Sequence, residues 1–238
     1  MHKPMSGTFR WAASRFPALW NPMKNEFPDL FEKAVFPWEV LSLLDKYIEE
    51  KLREVQGPWV RSPLPEGVHL EGPIFIGEDC RVEEGAFIRG PAWIGEGCEI
   101  RNGCYIRGSV LVGAGAVLGH ASEFKHCLLL GKAQAPHFNY VGDSVLGWHA
   151  HIGAGVILSN FRLDGKPVKV HTLEPIERID SGLAKMGALI GDECEIGCNS
   201  VLNPGTILGE KSVVFPLSLI SGTWCAGSRI ENESLHRP

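Results

Sequence analysis

One histidine stands apart from the other eight in this chain. His137 follows Pro136 and precedes Asn139, Tyr140 and Asp143, in the run PHFNYVGDS. An imidazole titrates near neutral pH, so a histidine in such polar company can act as the general base that an amine needs when it is acylated. An anionic acceptor would also need cations. Arg89, Arg107 and Lys125 are spaced 18 and 18 apart, and Lys166 and Lys169 follow Asp164-Gly165. Zinc is the rival chemistry for a histidine-rich chain, and it requires ligands converging from neighbouring turns of the backbone. His120 and His126 are six apart, and no histidine lies 18 or 36 residues from His126, so no metal site is expected.

What must position these residues is a six-residue repeat. Aliphatic or aromatic residues recur at Leu70, Ile76, Val82, Ile88, Ile94, Ile100, Ile106, Val112, Leu118, Phe124 and Leu130, then at Leu146, Ile152 and Leu158, and again from Ile190 to Ile220. With Gly-rich corners between them, these hexads are the signature of a parallel β-helix. Three hexads make one coil, so residues 18 apart stack at the interstrand spacing of about 4.8 Å. Arg89, Arg107 and Lys125 then form one outward column, while Arg101 faces another side. Like charges stacked without interleaved acids repel one another unless an anion neutralises them. From Leu130 to Leu146 the step is 16 rather than 18. The register therefore slips by two, with His137 inside the break and beside the end of the cation column. Interruptions of a regular scaffold are where function is expected. A second excursion runs from Phe161 to about Gly187, and Asp164-Gly165 reads as its hairpin turn.

Outside the repeat, residues 1–66 form an N-terminal helical region and linker, and residues 67–238 form the all-β helix. The clearest helix runs from Pro37 to Val55, with Val40, Leu41, Leu44, Tyr47, Ile48, Leu52 and Val55 on one side. Pro37 and Glu39 suit its start, Lys51 and Arg53 its C-terminal dipole, and Gly57-Pro58 its stop. RSPLPEG reads as the linker. A formal charge of −5 argues against nucleic acid, and no Lys/Arg run suggests an anionic membrane. No apolar stretch is long enough to span a bilayer and no signal-peptide core precedes the repeat, so a cytoplasmic protein is expected. Cys80, Cys98, Cys104 and Cys194 each follow a repeat aliphatic by four residues, where other repeats put small side chains. They read as core thiols.

At HFNYVGDSVLG, then HIGAG, then SNF, the chain resembles the hexapeptide acyltransferases of the left-handed β-helix class. More closely, it is similar to the acetyltransferase domain of the bifunctional glucosamine-1-phosphate acetyltransferase and N-acetylglucosamine-1-phosphate uridylyltransferase. GKPVKV and KMGALIGDECEIGCNSVLNPG resemble the archaeal sugar-1-phosphate nucleotidylyltransferases that carry this acetyltransferase half. The likeness covers roughly residues 70–222. It implies a left-handed helix, acetyl-CoA as co-substrate, and a homotrimer with active sites between subunits. It makes His137 the catalytic base and puts Arg107, Lys125, Tyr140, Asn160 and Lys166 on the sugar phosphate, with Lys169 a further candidate. His151 stands where the bacterial domain has Asn ahead of GAG and counts among the acceptor-side positions. Gly153, Ala154 and Cys198 would line the acetyl-CoA groove, with a backbone N–H near Gly153 or Ala154 stabilising the oxyanion.

The family's nucleotidylyltransferase domain normally precedes the helix. Residues 1–66 are too short for it and hold no Gly-rich nucleotide loop, so a separate nucleotidylyltransferase is a candidate partner. The expectation is an acetyl-CoA-dependent N-acetyltransferase acting on an amino-sugar phosphate such as glucosamine-1-phosphate. Its rivals are an acyltransferase for another amino sugar or a sugar hydroxyl, and a non-catalytic trimeric β-helix.

Overall fold

The computed structural model describes residues 15–231; the outer ends of the two expected regions, 1–14 and 232–238, lie outside the described residues. Three eight-stranded parallel sheets wind into a left-handed β-helix of about 9 turns. The first face carries His69–Glu71, Phe87–Arg89, Tyr105–Arg107, Glu123–Lys125, Tyr140–Gly142, Ile157–Leu158, Val201–Leu202 and Leu219–Ile220. The second begins at Ile74–Ile76 and the third at Arg81–Val82. Ile76, Ile88, Ile94, Ile100 and Ile106 point inward and are fully buried, each worth roughly 1.5–3 kcal/mol of apolar burial. Ala86, Cys98, Cys104 and Ala116 fill the narrower corners. The four cysteines expected inside are buried and free, as is Cys127, and burial pushes the Cys194 thiol up to about 12.

The break differs from the expectation. Most coils advance by 18, as in Ile88↔Ile106 and Ile106↔Phe124. Phe124↔Val141 and Val141↔Leu158 advance by 17, as do Leu118↔Ala135 and Leu129↔Leu146. Two coils have therefore each lost one residue, in place of a single slip of two at His137. Both losses fall at the corner between the first and second faces, where Phe124 to Leu129 and Val141 to Leu146 take five residues rather than six. Leu129 occupies the inward position assigned above to Leu130, opposite Val112. Leu130 packs instead against the N-terminal unit.

That unit covers the second face. Its α1 (Pro28–Glu32) and α2 (Glu39–Glu54) bury Leu30, Phe31, Leu41, Leu44 and Ile48 completely, against outward residues of the sheet such as Phe75, Leu111, Leu128 and Val145. A 16-residue helix is marginal alone, so this packing rather than propensity holds α2 in place. The segment before α1 is strapped down through Asp192, whose oxygens accept the N–H of Asn21 and of Trp148 at 2.8 Å each. The stretch read as a linker already belongs to the solenoid. Val60 bridges Ile76 in parallel, and Ser62 Oγ accepts the N–H of Cys80, 18 residues on.

The arm between Ile157–Leu158 and Ala188–Ile190 contains an antiparallel pair, Lys169–His171 with Arg178–Asp180. Its hairpin tip is therefore at 172–177, not at Asp164-Gly165. Gly165 does turn, donating to Arg162 O at 3.0 Å, but no strand pair springs from that turn.

Candidate functional site

The two shortened corners meet. At the first, His126 takes a left-handed backbone (φ 48°), and at the second Asp143 does the same (φ 46°). Removing one residue from each corner draws Lys125, His126 and Asp143 onto one locus. The Asp143 N–H donates to Lys125 O at 3.0 Å. Its carboxylate accepts Lys125 Nζ at 3.1 Å to each oxygen, His126 Nδ1 at 2.9 Å and Asn160 Nδ2 at 2.5 Å. Burial is the largest influence on Asp143 and pushes its pKa up; the His126 hydrogen bond and the Lys125 ammonium together outweigh it, so the net shift is downward. Asn160 Nδ2 also reaches Tyr140 Oη at 3.0 Å. Tyr140 feels the charges of Asp143, Glu123 and Arg107. Four of the expected residues, Arg107, Lys125, Tyr140 and Asn160, thus belong to one polar cluster on the first face.

The cation column is real but neutralised. Arg89 pairs with Glu71 at 2.9 Å, Arg107 with Glu123 at 2.5 Å and Lys125 with Asp143. The expectation of stacked cations without acids fails because it stopped the column at Arg89, where the next register partner is Glu71, and followed no neighbouring position. Asp143 reaches Lys125 from the following coil, and Glu123, two residues before Lys125 on the neighbouring strand, reaches back to Arg107. Charge repulsion therefore supplies no argument for an anion.

His137 ends the strand Gln134–His137 on the third face and stands across a two-residue corner from Tyr140. Its side chain is exposed, and its imidazole has no hydrogen-bond partner among the described residues. One coil on, Ala154 lies directly in line with it, because Gln134 pairs with His151 and Gly155 N donates to His137 O. Cys198 continues the line through Asn199 N donating to Ala154 O, and its thiol is exposed. His137, Ala154 and Cys198 thus form one edge of the prism. The Gly153 N–H is occupied by Ile196 O at 2.7 Å, which removes it as an oxyanion donor. The Ala154 N–H has no acceptor among the described residues.

Three expected residues lie elsewhere in the same chain. His151 is on the third face with its Nδ1 2.9 Å from Glu195 Oε2. Lys166 and Lys169 line a hollow of about 340 Å³ beneath the arm, together with Arg178, His171 and Gly205. Burial, then the Arg178 charge, holds His171 below the usual imidazole range. Asp143 and His126 are members of the cluster that were not among the expected site residues. The five-residue steps on either side of them were the available signal. No group of three or more His, Cys, Asp or Glu able to hold a metal is found among the described residues.

Comparison with known proteins gives this geometry a context. The GMPPB C-terminal domain model matches residues 88–179. A bifunctional protein GlmU of Methanococcus maripaludis is 44% identical over 179 residues, covering 75% of this chain and 41% of that protein. The chain is a homologue of the GlmU proteins. A second GlmU, from Methanocaldococcus jannaschii, is 34% identical across 74% of this chain and 41% of its own length. A bifunctional sugar-1-phosphate nucleotidylyltransferase/acetyltransferase of Sulfurisphaera tokodaii is 35% identical over 44% of this chain and 25% of its own. The chain thus spans less than half the length of these GlmU relatives, and the shared part is the acetyltransferase part. A polysialic acid O-acetyltransferase structure aligns over 72% of this chain at 14% identity with a TM-score of 0.25, a superposition too poor to carry an argument.

Proposed function

We propose that the chain is an acetyl-CoA-dependent N-acetyltransferase whose acceptor is an amino-sugar phosphate such as glucosamine-1-phosphate. The observation that carries this reading is the alignment of an unengaged imidazole, His137, with an unpaired backbone N–H, Ala154, one coil below. These are the two groups acyl transfer to an amine requires. The imidazole takes the amine proton as nitrogen attacks the thioester carbon; the N–H meets the oxyanion that forms; the C–S bond then breaks and the thiol leaves with a proton from the imidazolium. The edge running from His137 through Ala154 to Cys198, with Gly153 close behind, is where the co-substrate would lie. Acetyl-CoA supplies the activated acyl group. The Arg107, Lys125, Tyr140 and Asn160 cluster is the acceptor side, and an anionic acceptor suits its excess of donors.

Lys166 and Lys169 sit under the arm, apart from this cluster within one chain. Their part in acceptor binding therefore calls for a second copy, which is the reading the homotrimer supplies. Exposed Phe138 and Leu219 lie on or beside the first face, one of the two that the N-terminal unit leaves uncovered, and they support self-association there. His151, held by Glu195, would act at the margin of the site. Partners in this reading are the two substrates, like copies and a separate nucleotidylyltransferase that consumes the product. Cytoplasmic residence accords with a nucleotide-linked co-substrate, and no described helix is long and apolar enough to cross a membrane.

The deciding experiment is thiol release from acetyl-CoA against a panel of amino-sugar phosphates, free amino sugars and sugars that offer hydroxyls alone. Release with amino-sugar phosphates alone is expected. Release only with hydroxyl acceptors would replace N-acetylation by O-acetylation, and no release with any acceptor would leave the non-catalytic β-helix.

A further inference from the structure

Asp143 has no part in the chemistry above, yet it is buried to 4% exposure and holds three other side chains of the acceptor cluster. An ionised carboxylate can only accept hydrogen bonds. With Lys125 and His126 keeping Asp143 ionised, Asn160 has to present its NH2 group to it rather than its carbonyl oxygen. The same NH2 group reaches Tyr140 Oη at 3.0 Å, so the hydroxyl accepts a hydrogen bond from Asn160. Burial, the largest influence, raises the Tyr140 pKa, so the phenol keeps its proton. That proton cannot point back at an NH2 group.

We infer that Asp143 is a positioning residue that acts through Asn160 to turn the Tyr140 hydroxyl into an obligate outward donor aimed at an oxyanion of the phosphate class. The direction of the whole chain is set at its buried end. Lys125 and His126 hold Asp143, Asp143 orients Asn160, Asn160 donates to Tyr140, and Tyr140 donates outward. The Arg107 guanidinium lies within electrostatic reach of the same phenol, so a cation and a donor converge on one anionic group. Buried networks of this kind hold their direction because reversing one member leaves another unsatisfied. The inference rests on the proposed function for the identity of the ligand as the acceptor's phosphate, and on geometry for everything else.

Asp143→Asn tests the direction. The new amide can offer its NH2 to Asn160, which then shows its oxygen to both neighbours, and the Tyr140 proton turns inward to it. Glucosamine-1-phosphate and inorganic phosphate should each bind about 10- to 100-fold more weakly by calorimetry, the range for one hydrogen bond to a charged group. The KM for acetyl-CoA should not move. Tyr140→Phe should lose the same factor, and Asp143→Asn/Tyr140→Phe should be no weaker than Tyr140→Phe alone, because all three lose one and the same bond. Additive losses would reduce Asp143 to a structural residue and overturn the inference. Where Asp143→Asn does not fold, Tyr140→Phe decides alone: phosphate affinity equal to wild type overturns it. A wild type that binds phosphate but acylates no acceptor overturns the proposed function only. A wild type that binds no phosphate overturns the inference.

Discussion

Arg107 Nη1 lies 2.5 Å from Glu123 Oε1, so the outermost cation of the polar cluster already has a carboxylate partner. Both side chains are substantially exposed, at 44% and 33%, and such a pair adds only about 0–1 kcal/mol to stability. Its larger effect is competition with the ligand. Glu123→Gln should leave thermal stability nearly unchanged and lower the KM for an anionic acceptor several-fold, more at low salt than at high. A raised KM would mean that Glu123 orients Arg107 instead of competing for it.

His137→Ala should lower kcat by roughly 10² to 10⁴ while acetyl-CoA binding stays close to wild type. Arg107→Ala should act mainly on the KM for the sugar phosphate, since its guanidinium would hold ground and transition states alike. Full kcat in His137→Ala would move the base elsewhere, and His126 and His151, both tied to carboxylates, are next in line.

Asp192 offers a test by pH. Burial, the largest influence, pushes its pKa from the ordinary 3.8 up to about 6, against the two backbone N–H groups that lower it. The folded chain thus binds this proton more tightly than the unfolded chain does. Its cost to stability is fully present above about pH 6 and is relieved as pH falls toward 4. Asp192→Asn should remove that component. The stability difference between wild type and variant, measured by denaturant unfolding, should shift in favour of wild type by on the order of 1–3 kcal/mol between pH 7 and pH 4. A difference independent of pH would show that the carboxylate does not titrate in that window.

Leu44→Ala should destabilise the N-terminal unit by about 2–5 kcal/mol, as a large-to-small change at a fully buried position does. Because Leu44 packs over the second face, loss of the unit would uncover Phe75, Leu111 and Val145. Dye binding to exposed apolar surface should therefore rise together with the unfolding signal. A loss below about 0.5 kcal/mol would mean the site collapses onto its neighbours.

Much of the scaffold was legible because its period is short and its core one-dimensional. Ile88, Ile100 and Ile106 are inward wherever the step is six, and α2 lies within two residues of the expected Pro37–Val55. Leu130 misled because it too is buried, so hydrophobicity alone could not tell an inward Leu129 from a Leu130 facing the N-terminal unit. Phe161–Gly187 misled because Asp-Gly favours a tight turn locally, while pairing of Lys169–His171 with Arg178–Asp180 is decided by contacts such as Thr223 Oγ1 to His171 O. The polar cluster on the first face was half legible. Tyr140 and Asn160 came from the resemblance, but the ion pairs that neutralise Arg107 and Lys125 depend on which coil each acid reaches, and a linear count of charges does not carry that information.

The two shortened corners also set a rule for anyone cutting and rejoining such proteins. A ruler marked every 18 residues reads correctly as far as Phe124 and is then out by one at Val141 and by two at Leu158. A chimera spliced by that ruler between His126 and Asp143 would turn outward positions into the core and core positions out, since neighbouring residues of a strand face opposite ways, and one spliced beyond Asp143 would keep the facing but set every residue two places along its strand. Grafts should be joined only between coils of equal length. The stretch from Lys125 to Asn160 is best moved as one cassette, because Lys125, His126, Asp143 and Asn160 meet only through the two losses that it contains.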